Sequence, residues 1–478
     1  MSQPKAELKK ALGLLDATTI IMGSMIGSGI FLAPALIAAI VVQDGLGAGS
    51  FVLIWAIGGV LTLCGALSYG ELAAAFPRAG GQYVFLKEAF SPFPAFLYGW
   101  SVFLVIQTGF IAAVAVAFAN YLGVFIPWIG QSHALVVAGG SSFSSAQLVA
   151  ILLIGFLTWV NTRGVKEGAL VQNVFTIAKV GALAGLIVAG VMTAKGSWSN
   201  FQPWLPPMVT GGVLAAFAVG MSKALFAYDA WNTVTFVAEE TRDPVKTLPR
   251  ALLLGTLGVT VIYTLANVAY LHVLAVEPAA AVPDQRIAAE VSRILFGPIG
   301  VSLIAIAILI STFGCDNGLI LAGPRLYYAM ARDGLFFAGA AQLDPTRGTP
   351  VRSLWYQSLW AMALVGSGSL GARGAQLYSD LLTFTSFASL LFNALTVVGL
   401  FVLRRSQPSL ARPYRVPAYP WIPALYLAVA AFFLVFIAIG DPRNSGFGFA
   451  VMLTGVPVYF YLQWRERQRV GAAPAAET

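Results

Sequence analysis

The stretch "GSMIGSGIF", residues 23–31, places three glycines within seven residues in the middle of the first long apolar run of the chain. Glycine costs about 1 kcal/mol relative to alanine inside a helix, and an unsatisfied backbone group in lipid costs several kcal/mol. A break here is tolerable only where main chain faces a cavity or other protein. It would aim the amides and positive dipole end of a half-helix starting near Ser28 at an anion, and the carbonyls around Met25 and Ile26 at a cation. One such break holds both ends of a zwitterion. The same small residues also serve close helix packing, and spacing alone leaves both readings open.

That the run crosses a membrane follows from composition. Of 478 residues, 58% are hydrophobic and 10% charged, with a mean hydropathy of +0.80; a soluble domain carries about 25% charged residues. The chain reads as an all-α integral membrane protein with about twelve spans, each an apolar run of about 20 residues. The polar start "MSQPKAELKK" precedes a run longer than a signal peptide, so no cleavable signal is expected. No loop holds a soluble domain, which places the function inside the membrane.

Lys and Arg set the orientation, because basic loops stay cytoplasmic. With the N-terminus inside, only Lys195, Arg286, Arg293, Arg373 and Arg443 fall outside, Lys179 and Lys223 fall within spans, and the rest of the 28 are cytoplasmic. The net charge of +8 is this bias, so no nucleic acid is expected as a partner, and both termini are cytoplasmic. The two cysteines, Cys64 and Cys315, lie in spans rather than outer loops, so no disulfide-linked heavy subunit is expected.

The sixth span repeats the motif of interruption. In "MSKALFAYDAWNTVTFVAEE", residues 221–240, Asp229 and Asn232 sit among aromatic residues at mid-membrane depth, where a carboxylate is a functional candidate by default. Paired breaks in corresponding halves mark a transporter site at an inverted-repeat interface.

Four motifs in order, "GSMIGSGIF", "SYGELAAAFPRAGGQYVFLKEAF" (68–90), "FAYDAWNTVTFVAEETRDPVKTLPRAL" (226–252) and "STFGCDNGLILAGPRLYYAMARDG" (311–334), resemble the amino acid-polyamine-organocation superfamily. The nearest likeness is to its L-type amino acid transporter branch. The resemblance implies two inverted five-helix repeats, 16–193 and 194–405, between a cytoplasmic tail at 1–15 and two added spans at 406–465, with a tail at 466–478. It implies a LeuT-like core, alternating access, and a central site between the unwound parts of the first and sixth spans. In that site the substrate carboxylate meets Ser28 and the amides near Gly27 and Gly29. Its ammonium meets carbonyls at Met25, Phe226 and Asp229, with Ile26 and Ala227 alongside. Phe226 closes over substrate from outside, and Asn232 supports the occluded state.

Lys179, in "NVFTIAKVGAL" of the fifth span, has three donors with which to satisfy orphan carbonyls of the first span. The resemblance ties a lysine here to sodium-independent transport and, in some members, to proton coupling. The plain alternative is a lysine that snorkels to an interface. Asp229 either pairs with a cationic amino acid or is neutralised internally, for example by Lys223. The resemblance favours neutral amino acids with tolerance for cationic ones. Lys223 and Asp316 put charges where relatives are usually uncharged; Asp316 lines the site or pairs with Lys223, and the sequence leaves both open. Arg78, in "FPRAGGQY" (76–83), contributes to an inner gate or only signals topology. Glu71, Glu239 and Glu240 stand ready to bridge to such arginines, as exposed pairs worth under about 1 kcal/mol.

Enzyme chemistry is disfavoured. The only histidines, His133 and His272, lie far apart, and no HExxH, paired-cysteine metal spacing or P-loop occurs. No metal or cofactor is expected. The breaks hold opposite charges of one zwitterion rather than a ring of like groups, which disfavours a channel; a receptor reading lacks an external domain. The expected activity is sodium-independent amino acid exchange across the cell membrane, with proton-coupled symport of amino acids or polyamines as the alternative.

Overall fold

In the computed structural model, residues 7–130, 133–138, 141–282, 286–367, 374–440 and 442–471 are described; Lys5, Arg373 and the ends of the two expected tails lie outside them. The first apolar run forms two helices, α1 (Leu14–Met25) and α2 (Gly29–Gln43). Asp16 starts α1 by accepting the Gly13 N–H at 2.8 Å. α3 (Ala48–Ala75) follows, then the short α4 (Gln82–Ala89). α5 (Pro92–Ser101) and α6 (Gln107–Leu122) are joined by a π-helical turn at Val102–Ile106.

Such a widened turn frees main-chain groups that lipid cannot satisfy. Side chains from neighbouring helices supply what water would: Trp360 donates to the Leu104 carbonyl at 2.8 Å, and Thr108 to that of Phe103 at 2.8 Å.

A hairpin of β1 (Ala134–Ala138) and β2 (Ser141–Ser144) leads into α7 (Ser145–Thr162). Ser144 and Gln147 close a reciprocal cap there. α8 (Val165–Met192) and α9 (Gly211–Ala227) come next, then a 3₁₀ segment at Trp231–Glu240. α10 (Pro244–Val273) begins with a proline where its missing N–H costs nothing. α11 (Val276–Ala280), α12 (Ile287–Phe296), α13 (Pro298–Ala322) and α14 (Pro324–Arg332) complete the part that frames the site. α15 (Val351–Ser367), α16 (Gly374–Ser406), α17 (Trp421–Gly440), α18 (Pro442–Leu453) and α19 (Gly455–Gly471) surround it.

Among the described residues, ten segments are long and apolar enough to cross a bilayer. The sequence reading of about twelve differs at the C-terminal side. α15 has 17 residues, and the last apolar run is divided at Thr454 into α18 and α19 of 12 and 17 residues. α19 also reaches Gly471, past the boundary expected at 465.

α1 is enclosed by α8, α10 and α13, and α2 lies along α9. Trp55 of α3 and Tyr263 of α10, both buried, meet edge to face at 5.6 Å between centroids. The two interrupted segments therefore sit at the centre, shielded from lipid.

Candidate functional site

α1 ends at Met25 and α2 opens at Gly29, with Ile26–Ser28 between the two helices. The glycines explain how close the neighbours come. A Cβ on Gly23 would stand 1.8 Å from the Gln172 amide nitrogen, and one on Gly29 would stand 2.9 Å from the Ala227 Cα. Gly27 faces the Cys315 sulfur, which a Cβ would approach to 2.8 Å. Close packing and interruption therefore coexist in one stretch.

Every carbonyl from Gly23 to Ile26 has a side-chain donor. Lys179 Nζ donates to Gly23 O at 2.9 Å, Ile26 O at 2.7 Å and Ser311 O at 2.8 Å. Ser311 Oγ adds a second bond to Ile26 O at 2.9 Å, and Cys315 Sγ donates to Ser24 O at 3.0 Å. Tyr263 Oη donates to Met25 O at 2.7 Å and to Ala227 O at 3.2 Å, tying the two interruptions together. With a solvent exposure of 1%, Lys179 does not snorkel; its ammonium joins α1, α8 and α13. The Ile26 carbonyl, expected to face a substrate ammonium, has both lone pairs filled by the chain's own donors, and so has the Met25 carbonyl, which also accepts the Gly27 N–H at 2.9 Å.

The second interruption runs through Tyr228 and Asp229 to Ala230, which is left-handed at φ 70°. Asp229 Oδ1 accepts the Ala230 N–H at 2.7 Å and holds this turn, while Oδ2 is buried without a hydrogen-bond partner. Asp229 and Ser389 line two small cavities. One lies toward Thr62, Trp231, Asn393 and Tyr426, and the other toward Tyr98, Gln107 and Phe110 beside the π-helical turn. The Phe226 ring is buried and stacks on Phe110 at 4.7 Å. Ser28, at the start of α2, is buried as well.

Asn232 donates to Gln82 Oε1 at 2.6 Å, and Gln82 to Thr396 at 3.1 Å. Tyr69 donates to Asn393 Oδ1 at 2.9 Å. This network links the 3₁₀ segment to α3, α4 and α16.

One pairing that the sequence left open is corrected. Asp316 is 0% exposed and neither oxygen has a hydrogen-bond partner, so it does not pair with Lys223, and it lines neither cavity. Lys223 is itself buried in α9. Arg78, 51% exposed, pairs with Glu88 at 2.5 Å a few residues on.

Ion pairs that join separate elements lie elsewhere, and two of them are buried. Arg325 and Glu240, each 1% exposed, form a two-pronged pair at 2.6 and 2.9 Å. Glu71 takes Arg404 at 2.9 and 2.6 Å and the Val416 N–H at 2.8 Å. Glu239 meets Arg332 at 3.6 Å. The Glu240 carbonyl also accepts the amides of Ala11 and Leu12, both at 2.9 Å.

Tyr263, Ser311, Cys315, Gln82, Ser389 and Asn393 are site residues that sequence reasoning missed. Ser311 and Cys315 stand inside a quoted motif, and their polarity in an apolar run was the available signal. Tyr263 looks like an ordinary interior aromatic, because only its hydroxyl contacts reveal its role.

Two facing interruptions in membrane-length helices, with main-chain groups held by a buried ammonium, define a membrane carrier. The chain belongs to the amino acid permease family: the family described as "Amino acid permease" matches residues 12–462. It is 33% identical over 477 residues to the large neutral amino acids transporter small subunit 2 of Rattus norvegicus, covering 97% of this chain and 82% of that protein. It is 32% identical over 475 residues to the Asc-type amino acid transporter 1 of Mus musculus, with coverage of 97% and 83%. Over 469 residues it is 32% identical to the b(0,+)-type amino acid transporter 1 of Mus musculus, with coverage of 97% and 90%.

Proposed function

We propose that this protein is a sodium-independent exchanger of neutral amino acids with tolerance for cationic ones, working by alternating access. The observation that carries the reading is the Lys179 ammonium bound to three main-chain oxygens of α1 and α13. A fixed cation there leaves no place for a sodium ion to organise the break. The names of its relatives, among them a cystine/glutamate transporter of Homo sapiens that is 32% identical, agree with amino acid exchange.

In this reading the core is two inverted repeats, 16–193 and 194–405, within about twelve spans, and both termini face the cytoplasm at the cell membrane. The substrate carboxylate meets Ser28 and the amides near Gly27 and Gly29, and the ammonium meets the Phe226 and Asp229 carbonyls, with the Met25 carbonyl joining once it gives up one of its present donors. Phe226 moves from its stack on Phe110 to close over substrate, Asn232 steadies the closed form, and the Asp229 carboxylate receives a basic side chain. Although the rat relative is named a small subunit, we propose activity without a disulfide-bonded partner, because Cys64 and Cys315 are both buried and free.

The test is efflux of a preloaded labelled amino acid from liposomes. Exchange predicts fast efflux only with amino acid outside; equal efflux into empty buffer overturns it.

A further inference from the structure

Between Glu88 and Arg163 the chain has no Lys, Arg, Asp or Glu, although this stretch includes the connection from α6 to α7 that leaves the membrane. The connections that emerge on the same side carry Lys195, or Arg286, Glu290 and Arg293. In place of charge this one shows apolar side chains: Phe125, Ile126, Trp128, Leu135, Val136 and Val137 are all exposed. Val136 and Val137 pair with Phe143 and Ser142 across the β1–β2 ladder, so as neighbours on a strand they point to opposite faces. They are 59% and 72% exposed, which leaves the hairpin bare and apolar on both sides of β1. A two-stranded hairpin on its own is marginally stable at best in water. Its base is nonetheless fixed to the first turn of α7. The Ser145 hydroxyl donates to Trp128 O at 2.8 Å and accepts the Gly130 N–H at 3.0 Å, and the Ser145 N–H donates to His133 O at 2.9 Å.

We propose that the β1–β2 hairpin and the turn before it lie in the headgroup region of the bilayer, in the leaflet opposite the N-terminus, with lipid as the partner of both faces of β1. A protein docked on the hairpin would cover one face and leave the other valine in water, whereas a fluid layer sheathes both. The lack of charge removes the main cost of leaving water. Depth is limited by the backbone, because hydrocarbon would orphan the main-chain groups along both edges of the ladder. The hairpin therefore stops at the boundary, where headgroups and water supply hydrogen-bond partners. Trp128, beside its base, is the residue type that settles at this level. The surface also continues into the lipid-facing side of α7, where Leu152 and Phe156 are exposed. The anchor holds the connection between two spans whatever the carrier exchanges.

Nitroxide labels on the purified protein in phosphatidylcholine nanodiscs, where water reaches both faces of the bilayer, test this. The labels are placed at Val136→Cys and at Val137→Cys, with Leu152→Cys as the lipid reference and the exposed Lys166→Cys, at the start of α8, as the water reference. Cys64 and Cys315 are buried, and the wild type labelled in parallel gives their background. Where a valine variant does not fold, its cross-strand partner on the same face carries the label instead, Phe143→Cys for Val136 and Ser142→Cys for Val137. Collisions with oxygen, which enters lipid, are compared with collisions with a water-soluble nickel chelate. On both faces the oxygen-to-nickel ratio is expected to move toward that of Leu152→Cys and to exceed that of Lys166→Cys by at least about threefold, as for groups about 5–10 Å into the interface. A smaller excess on either face overturns the proposal. So does shielding of either label from both reagents, which is the mark of a second copy of the chain on the hairpin.

Discussion

The Lys179 ammonium sits 2.7 Å from the carbonyl oxygen of Ile26, the residue at which α1 gives way. One side chain from α8 thus does what a bound metal cation would do for a broken helix, and does it with directional donors. Removing it takes a donor from three carbonyls, of which Ile26 O keeps the Ser311 hydroxyl; each carbonyl left without a partner costs about 1–3 kcal/mol. Lys179→Met is expected to abolish exchange and lower the melting temperature. Lys179→Arg is expected to fail as well, because a planar fork cannot aim at three converging oxygens. Replacing sodium by choline is expected to leave wild-type uptake unchanged; a sodium requirement would contradict the fixed-cation reading.

The contact between Gly29 and Ala227 sets how closely the two interruptions approach. In Gly29→Ala the new methyl would lie 2.7 Å from the Ala227 Cβ, an overpacking that costs about 1–3 kcal/mol. Slower exchange and weaker substrate binding are expected. Ala227→Gly placed on top should recover part of both, and a double-mutant cycle measures the coupling.

Tyr263 is the other strap between the halves. Tyr263→Phe keeps the ring against Trp55 and removes only the bonds to Met25 O and Ala227 O. The stability loss should be about 1 kcal/mol, and the exchange rate should fall more than the binding affinity. Equal falls in both would assign the hydroxyl to substrate contact.

Asp229 gives the test of substrate range. Asp229→Asn can still accept the Ala230 N–H and hold the turn, so competition by neutral amino acids should persist. Competition by arginine and lysine should weaken at least about tenfold, which corresponds to 1.4 kcal/mol. Unchanged inhibition by basic amino acids would limit Asp229 to a structural role.

The Arg325–Glu240 pair differs from the Arg78–Glu88 pair in burial, and the consequences should differ accordingly. Glu240→Ala leaves a guanidinium that is 1% exposed without its partner, a loss of about 3–5 kcal/mol. Arg78→Ala should change stability by less than about 0.5 kcal/mol. Thermal unfolding of the two variants in detergent makes the comparison directly.

Much of this was legible in the sequence because membranes impose few solutions. Glycines at 23, 27 and 29, an aspartate at 229 and a lysine at 179 are expensive in an apolar run, so each announces a compensating contact. What the run cannot announce is the partner. Asp316 and Lys223 look alike as intramembrane charges of opposite sign, yet helix rotation gives them unrelated surroundings. Arg78 and Arg325 are both loop-side arginines on paper, and only packing decides that one is exposed and the other sealed. The hydroxyl of Tyr263 and the thiol of Cys315 are silent for the same reason: their carbonyl targets belong to a helix far away in the chain.

Since Leu12 is stitched to residues 240–242 through its own amide and carbonyl, the stretch ahead of the first membrane helix is mechanically one piece with the end of the sixth. A fluorescent protein fused just before residue 11 would tug on Glu240 and, through it, on Arg325. Labels meant to report on motion without disturbing it belong elsewhere on the molecule.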